Sequence, residues 1–67
     1  MILVNGRDSD LRAGTTVQAA VAGLGIDPEA RGIAVAVDGE VVPRAAWPTF
    51  ALAADARVEV LTAMQGG

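Results

Sequence analysis

The chain ends Ala63-Met64-Gln65-Gly66-Gly67, and its terminal carboxylate is the group with the most evident chemistry. Glycine makes up about 7% of residues in average proteins, so a terminal pair arises by chance in only about 0.5% of chains. Two residues without Cβ form a thin, extended tail able to thread a narrow channel into another protein's active site. There the backbone carboxylate can be adenylated and the activated acyl group attacked by a sulfur nucleophile. On this reading Gly67 carries the reactive carboxylate, Gly66 keeps the tail narrow, and Met64 and Gln65 line the channel mouth. The competing reading is a frayed terminus with no chemistry.

The side chains offer little else. Cysteine, histidine, lysine and tyrosine are all absent, which removes the nucleophilic thiol, the usual general base, the Schiff-base amine and the commonest metal ligand. Ser9 therefore has no histidine to activate it. One domain of 67 residues rarely encloses a pocket of the usual few hundred Å³. These features fit a carrier that another enzyme acts upon, not an enzyme, and no cofactor or metal is expected on this chain.

Eight acidic residues against five arginines give a net charge of −3 and a pI near 4.5, a poor balance for binding nucleic acid or an anionic membrane. The longest uncharged stretch, residues 13–26, contains glycines, threonines and a glutamine and is too short to span a bilayer, which takes about 20 apolar residues. The opening Met-Ile-Leu-Val-Asn lacks a basic leader, so no signal peptide is expected and a cytoplasmic setting is. Hydrophobic residues reach 52%, too many for a disordered segment. Fourteen of them are alanines, so the bulk available for a core is smaller than that figure suggests.

The elements that must hold the tail in place follow from pattern and punctuation. Ile2-Leu3-Val4 is β-rich, and Asn5-Gly6 favours a tight hairpin turn, with the returning strand expected over residues 9–12. Thr15-Thr16-Val17-Gln18 fits a capping box with Thr15 as the cap and Gln18 reaching back. Val17, Ala20, Val21 and Leu24 then form one apolar helical stripe, and Gly25 stands where a left-handed residue would end it. Asp27-Pro28-Glu29 reads as a further short turn. Residues 33–37 alternate β-branched residues with alanine, Asp38-Gly39 signals a second hairpin, and Glu40-Val41-Val42 returns as far as Pro43. Residues 57–62 make the last strand, while Trp47-Pro48 lies in a connector without a period. The order is ββαβββ, an α+β sheet wrapped on one main helix, with a domain over residues 1–62 and a flexible tail over 63–67.

Alternation assigns the faces of the sheet. Ile2, Val4, Ile33, Val35, Val37, Val58 and Val60 should face the helix. Leu3, Ala34, Ala36, Glu59 and Leu61 fall on the opposite face. If the first, third and last strands are neighbours, that second set makes a flat, mildly apolar surface of the kind that meets a partner, with Leu3 and Leu61 as the docking candidates.

At this point the chain resembles a known family. The Ile-Leu-Val-Asn start, the Ala-Gly-Thr-Thr-Val helix start, the segment from Ala34 through Asp38-Gly39 and Val42-Pro43-Arg44 to Trp47, and the terminal Gly66-Gly67 are similar to the ThiS family of sulfur carrier proteins of thiamine biosynthesis. The resemblance covers nearly the whole chain. Its most specific element is Val42-Pro43-Arg44 with Trp47, because small ubiquitin-like folds in general lack it, whereas the diglycine marks the superfamily only. The resemblance implies a β-grasp, ubiquitin-like fold. It also implies a mechanism: a ThiF-type enzyme uses ATP and magnesium to form an acyl-adenylate at Gly67, and sulfur from a cysteine desulfurase route turns it into a thiocarboxylate. A ThiG-type thiazole synthase then takes the sulfur. ATP and magnesium belong to the activating partner. One departure stands out: the family often has an acidic-Gly-Asp turn before the last strand, where this chain has Ala54-Asp55-Ala56, which leaves the shape of that turn open.

The remaining residues read more plainly. Pro43 and Arg44 read as a strand terminator and a solvated arginine, Trp47 as a lid on the core edge, and Asp38 and Glu40 as solvated hairpin residues. Two other functions share the diglycine chemistry: the small, sulfur-carrying subunit of molybdopterin synthase, and a ubiquitin-like modifier joined through Gly67 to lysines of other proteins. A plain interaction module is the reading in which the diglycine has no role.

Overall fold

Two tight turns organise the sheet. In the computed structural model, which describes residues 1–62, Asn5 and Asp38 both adopt φ 52°, followed by Gly6 at 82° and Gly39 at 85°. Positive φ at both central residues is the signature of a type I′ turn, whose twist matches that of the strands it joins. The first turn joins β1 (Leu3–Val4) to β2 (Arg7–Asp8), and the second joins β3 (Ile33–Val37) to β4 (Glu40–Val41). The last strand, β5 (Arg57–Thr62), lies between β1 and β3, giving the order β2-β1-β5-β3-β4. It runs parallel to β1 and antiparallel to β3. The first, third and last strands of the sequence reading are thus neighbours.

The returning strand of the first hairpin lies nearer the turn than the pattern suggested. It covers Arg7 and Asp8, not residues 9–12, because a two-residue turn forces Val4 opposite Arg7. Ser9 still extends the pairing, its amide and its hydroxyl both donating to the Ile2 carbonyl (3.2 and 2.7 Å).

The helix α1 (Val17–Gly23) begins one residue later than the capping box implied. Thr16, not Thr15, is the cap, and its Oγ1 accepts from the Ala19 amide at 3.1 Å. The first amides of a helix have no partner within it. Here Val17 donates to the Phe50 carbonyl and Gln18 to the Trp47 carbonyl (2.9 and 3.1 Å), so no reach-back from the Gln18 side chain is needed. Thr15 is occupied elsewhere, its carbonyl accepting from Leu52 at 2.8 Å. Gly25 closes the helix at φ 83°, as its position indicated. Val17, Ala20 and Val21 are buried, but Leu24 at the end of the stripe is 47% exposed.

The connector between β4 and β5 is ordered by these same bonds. It opens with a 3-10 turn, Arg44–Ala46. Trp47 follows, only 2% exposed, with its indole N–H donating to the Val42 carbonyl at 2.9 Å. It belongs to the core and is no lid. Residues 14–16 and 51–52 then pair backbone to backbone: Gly14 donates to Leu52 at 2.8 Å, Leu52 donates to Thr15, and Thr16 and Ala51 form an antiparallel bridge. Arg44 is exposed, as read from the sequence, but its side chain is engaged as well. Its guanidinium donates to the carbonyls of Pro28 and Ala30 and lies 4.5 Å from the centroid of the Trp47 ring, a cation–π distance. It ties the 27–30 turn, where Asp27 Oδ1 accepts from the Glu29 amide at 2.9 Å, to the connector.

The core joins the inner faces of the strands to the helix and connector: Ile2, Val4, Val35, Val37, Val58 and Val60 with Val17, Ala20, Val21, Val42, Trp47, Leu52 and Ala56. Of the seven residues assigned to this side by alternation, only Ile33 is partly exposed. The turn at Ala54-Asp55 is closed by the Ala56 amide donating to the Ala53 carbonyl at 3.2 Å. The Met1 ammonium donates to Asp55 Oδ1 at 2.7 Å.

Two predictions follow from this packing. Trp47→Phe removes the indole donor and leaves the Val42 carbonyl without it, which costs about 1–3 kcal/mol; urea denaturation should show a lower midpoint at unchanged m-value. The Met1 ammonium, by hydrogen bond and then by charge, holds the Asp55 carboxyl below its ordinary 3.8. A depressed folded-state value means that this contribution is present above the unfolded value and is lost as pH falls through the folded one. Asp55→Asn should therefore lower stability slightly above about pH 4 and converge on the wild type in acid, so that the acid limb is flatter, as measured by thermal melts across pH.

Candidate functional site

The tail residues assigned a role from the sequence, Met64, Gln65, Gly66 and Gly67, lie outside the described residues. What the structure gives is the strand from which the tail continues and the surface around it. β5 ends at Thr62 and is paired to β3 over all but its first residue, from Val37 opposite Val58 to Ile33 opposite Thr62. On its other side β1 reaches only as far as Val4 opposite Val58.

Beyond that point Asn5 replaces the missing strand with its side chain. Its amide N–H donates to the Val58 carbonyl (2.8 Å), its Oδ1 accepts from the Val60 amide (2.9 Å), and its Nδ2 lies 3.4 Å from the Val60 carbonyl. At the start of β5, Asp38 does the same for Arg57: its amide donates to the Arg57 carbonyl (2.8 Å) and its Oδ1 accepts from the Arg57 amide (3.0 Å). Each residue with φ 52° thus bends its own hairpin and holds a backbone position of β5. Asp38 is an exposed hairpin residue, as the sequence suggested, whose carboxylate also holds the backbone of β5.

The outward face of the sheet carries Leu3, Ala34, Ala36, Glu59 and Leu61, as alternation assigned, and also Val41, opposite Ala36. Leu61 is 65% exposed and Val41 74%, whereas Leu3 is half-buried. Leu3 pairs with Arg57, four positions along β5 from Leu61, so the two docking candidates share a face but stand about 13 Å apart. Glu59 lies between them. A shallow groove of about 500 Å³ runs over this face between the two turns, lined by Leu3, Gly6, Asp38, Gly39, Arg57, Val58 and Glu59. A second, of about 390 Å³, lies at the end of β5 and is lined by Gly32, Ile33, Ala34, Leu61 and Thr62. Val41 was missed by the sequence reading, although the register set by the Asp38-Gly39 turn would have placed it. Asn5 was read only as a turn residue, because nothing in a linear pattern reveals a bond spanning 55 residues.

Among the described residues, no group of three or more acidic residues is placed to hold a metal ion, and no helix is long and apolar enough to cross a membrane. The geometry is that of a presented strand end beside a flat face.

Comparison with known proteins accounts for that arrangement. The model of the ThiS family matches residues 2–67. The chain belongs to the ThiS family. A crystal structure of the thiamine biosynthesis protein (ThiS) from Geobacter metallireducens is 28% identical, superposes with a TM-score of 0.76, and the match covers 98% of this chain and 97% of that one. No curated protein matches the chain significantly. The five-stranded mixed sheet with one helix is thus the β-grasp fold of a ThiS protein, and the family match reaches the terminal diglycine.

The Asn5 bonds give a direct test. Asn5→Gly keeps the left-handed backbone available but removes both side-chain bonds to Val60, at about 1–2 kcal/mol. Asn5→Ala should cost more, since alanine is strained at φ 52°. Denaturant melts rank the three proteins, and hydrogen exchange should show the Val60 amide losing protection in both variants.

Proposed function

We propose that this chain is a sulfur carrier of thiamine biosynthesis, which itself catalyses nothing and acts through the carboxylate of Gly67. Membership of the ThiS family over residues 2–67, diglycine included, is the observation that carries this reading. A ThiF-type adenylating enzyme joins the carboxylate to AMP from ATP with release of pyrophosphate, magnesium serving the ATP in that enzyme's own site. Persulfide-level sulfur supplied through a cysteine desulfurase then forms the new C–S bond as AMP leaves, and a thiol reductant supplies the two electrons that free it as the thiocarboxylate. A ThiG-type thiazole synthase receives that sulfur. The setting is cytoplasmic.

The geometry supports a division of labour. The sheet face bearing Leu3 and Leu61 docks on the adenylating enzyme, and β5, paired to β3 out to Thr62, aims the tail from that docked face. Met64 and Gln65 occupy the mouth of the channel, and Gly66 and Gly67 pass through it. Such a carrier needs no nucleophile of its own, and the lack of cysteine, histidine and lysine leaves the terminal carboxylate as its single site of acyl chemistry. The ThiS match, not the diglycine, favours thiazole over molybdopterin synthesis.

The test is intact mass spectrometry after incubation with a ThiF-type enzyme, ATP, magnesium and a cysteine-derived sulfur source. The expected outcome is replacement of one terminal oxygen by sulfur, absent in a chain lacking Gly67 whose melting temperature is unchanged. An unmodified mass, with the same enzyme competent on another carrier, would reject the reading.

A further inference from the structure

Glu59 is the central outward residue of the central strand, and its surroundings are out of keeping with its charge. Across the sheet it faces Ala36, which in turn faces Val41. Along β5 its outward neighbours are Leu61, 65% exposed, and Arg57. The small alanines at 34 and 36 leave the carboxylate standing above the surface around it. Among the described residues the Glu59 side chain has no ion pair or hydrogen bond. Arg57 is the only cation on this face, and its backbone is already held by the Asp38 carboxylate. A single arginine cannot neutralise both Asp38 and Glu59, and Asp8, opposite Leu3 on β2, adds a third negative charge. The face is therefore apolar in shape and negative in potential.

An apolar face of this kind is useful only when covered, and covering it strips water from Glu59. Desolvating a carboxylate without a partner is costly enough to cancel much of the gain from burying Leu61 and Val41. A surface bearing a cation at that spot turns the same group into a charge-assisted hydrogen bond. We infer that the adenylating partner presents an arginine or lysine side chain opposite Glu59, ringed by apolar side chains that cover Leu61 and Val41, and that Glu59 is a specificity determinant excluding partners with a neutral or acidic patch there. This rests on the sulfur-carrier reading for the identity of the partner. It also rests on continuity, since the face lies on the strand that runs directly into the tail the partner must accept. Charge-bearing contacts at such an interface act on recognition and on the rate of encounter.

The experiment measures the Kd of the full-length chain for the adenylating enzyme by calorimetry at two salt concentrations. It compares the wild type with Glu59→Gln and Glu59→Arg, and follows thiocarboxylate formation by the wild type in parallel. The Glu59 side chain is exposed and makes no hydrogen bond or ion pair among the described residues, so both variants should keep the wild-type melting temperature. The expected result is a Kd raised about tenfold by Glu59→Gln and at least about 30-fold by Glu59→Arg, with the salt dependence of the wild type reduced in Glu59→Gln. Wild-type affinity in Glu59→Arg, with the wild-type chain still converted to the thiocarboxylate, overturns the inference and leaves the carrier reading intact. A wild-type chain that neither binds the enzyme nor is converted overturns both.

Discussion

The ladder between β3 and β5 is the interaction on which the rest of the structure depends. Its five residue pairs are by far the longest continuous pairing in a sheet whose other strands β1, β2 and β4 have two residues each. It sets the inward residues of both strands, Val35, Val37, Val58 and Val60, against the helix. Because side chains alternate with period two, it also fixes which residues of β5 look outward. Everything on the functional side, from the position of Leu61 to the direction in which the chain leaves Thr62, is inherited from that register.

Short strands are weak on their own, and the structure strengthens them with side chains that imitate backbone. Asn5 and Asp38 belong to the turns, yet their carboxamide and carboxylate oxygens accept from amides of β5. The helix is handled in the same way. Seven residues make a marginal helix, but its first amides are taken up by carbonyls of Phe50 and Trp47 and by the Thr16 hydroxyl. Polar satisfaction at the ends of elements thus does for this small chain what a larger core does elsewhere.

Where the physics is local, the sequence was a good guide. Asn5-Gly6 and Asp38-Gly39 are both turns with the expected left-handed residues, and β3 and β5 occupy the residues that alternation marks. The helix stripe and its glycine terminus were legible in the same way. The misplaced residues are those whose role is set by distant partners. Thr15 is drawn out of the cap by pairing with Leu52, and the connector around Trp47 has no period because its order comes from residues 14–18 and 28–30. Of the candidate site, the outward face was legible from alternation. The isolation of Glu59 was not, since it depends on which cation stands nearby in three dimensions.

Trp47 has a consequence of a different kind. It is the single tryptophan, and the chain has no tyrosine, so all indole emission of the protein arises from one ring packed in the core beneath Arg44. That ring lies on the helix side of the sheet, away from the face that carries Glu59 and Leu61. Its fluorescence is therefore a native gauge of whether the interior is intact, and it stays silent to events on the outward surface. A change in emission when another protein binds would mean that contact had reached through the sheet and disturbed the packing itself.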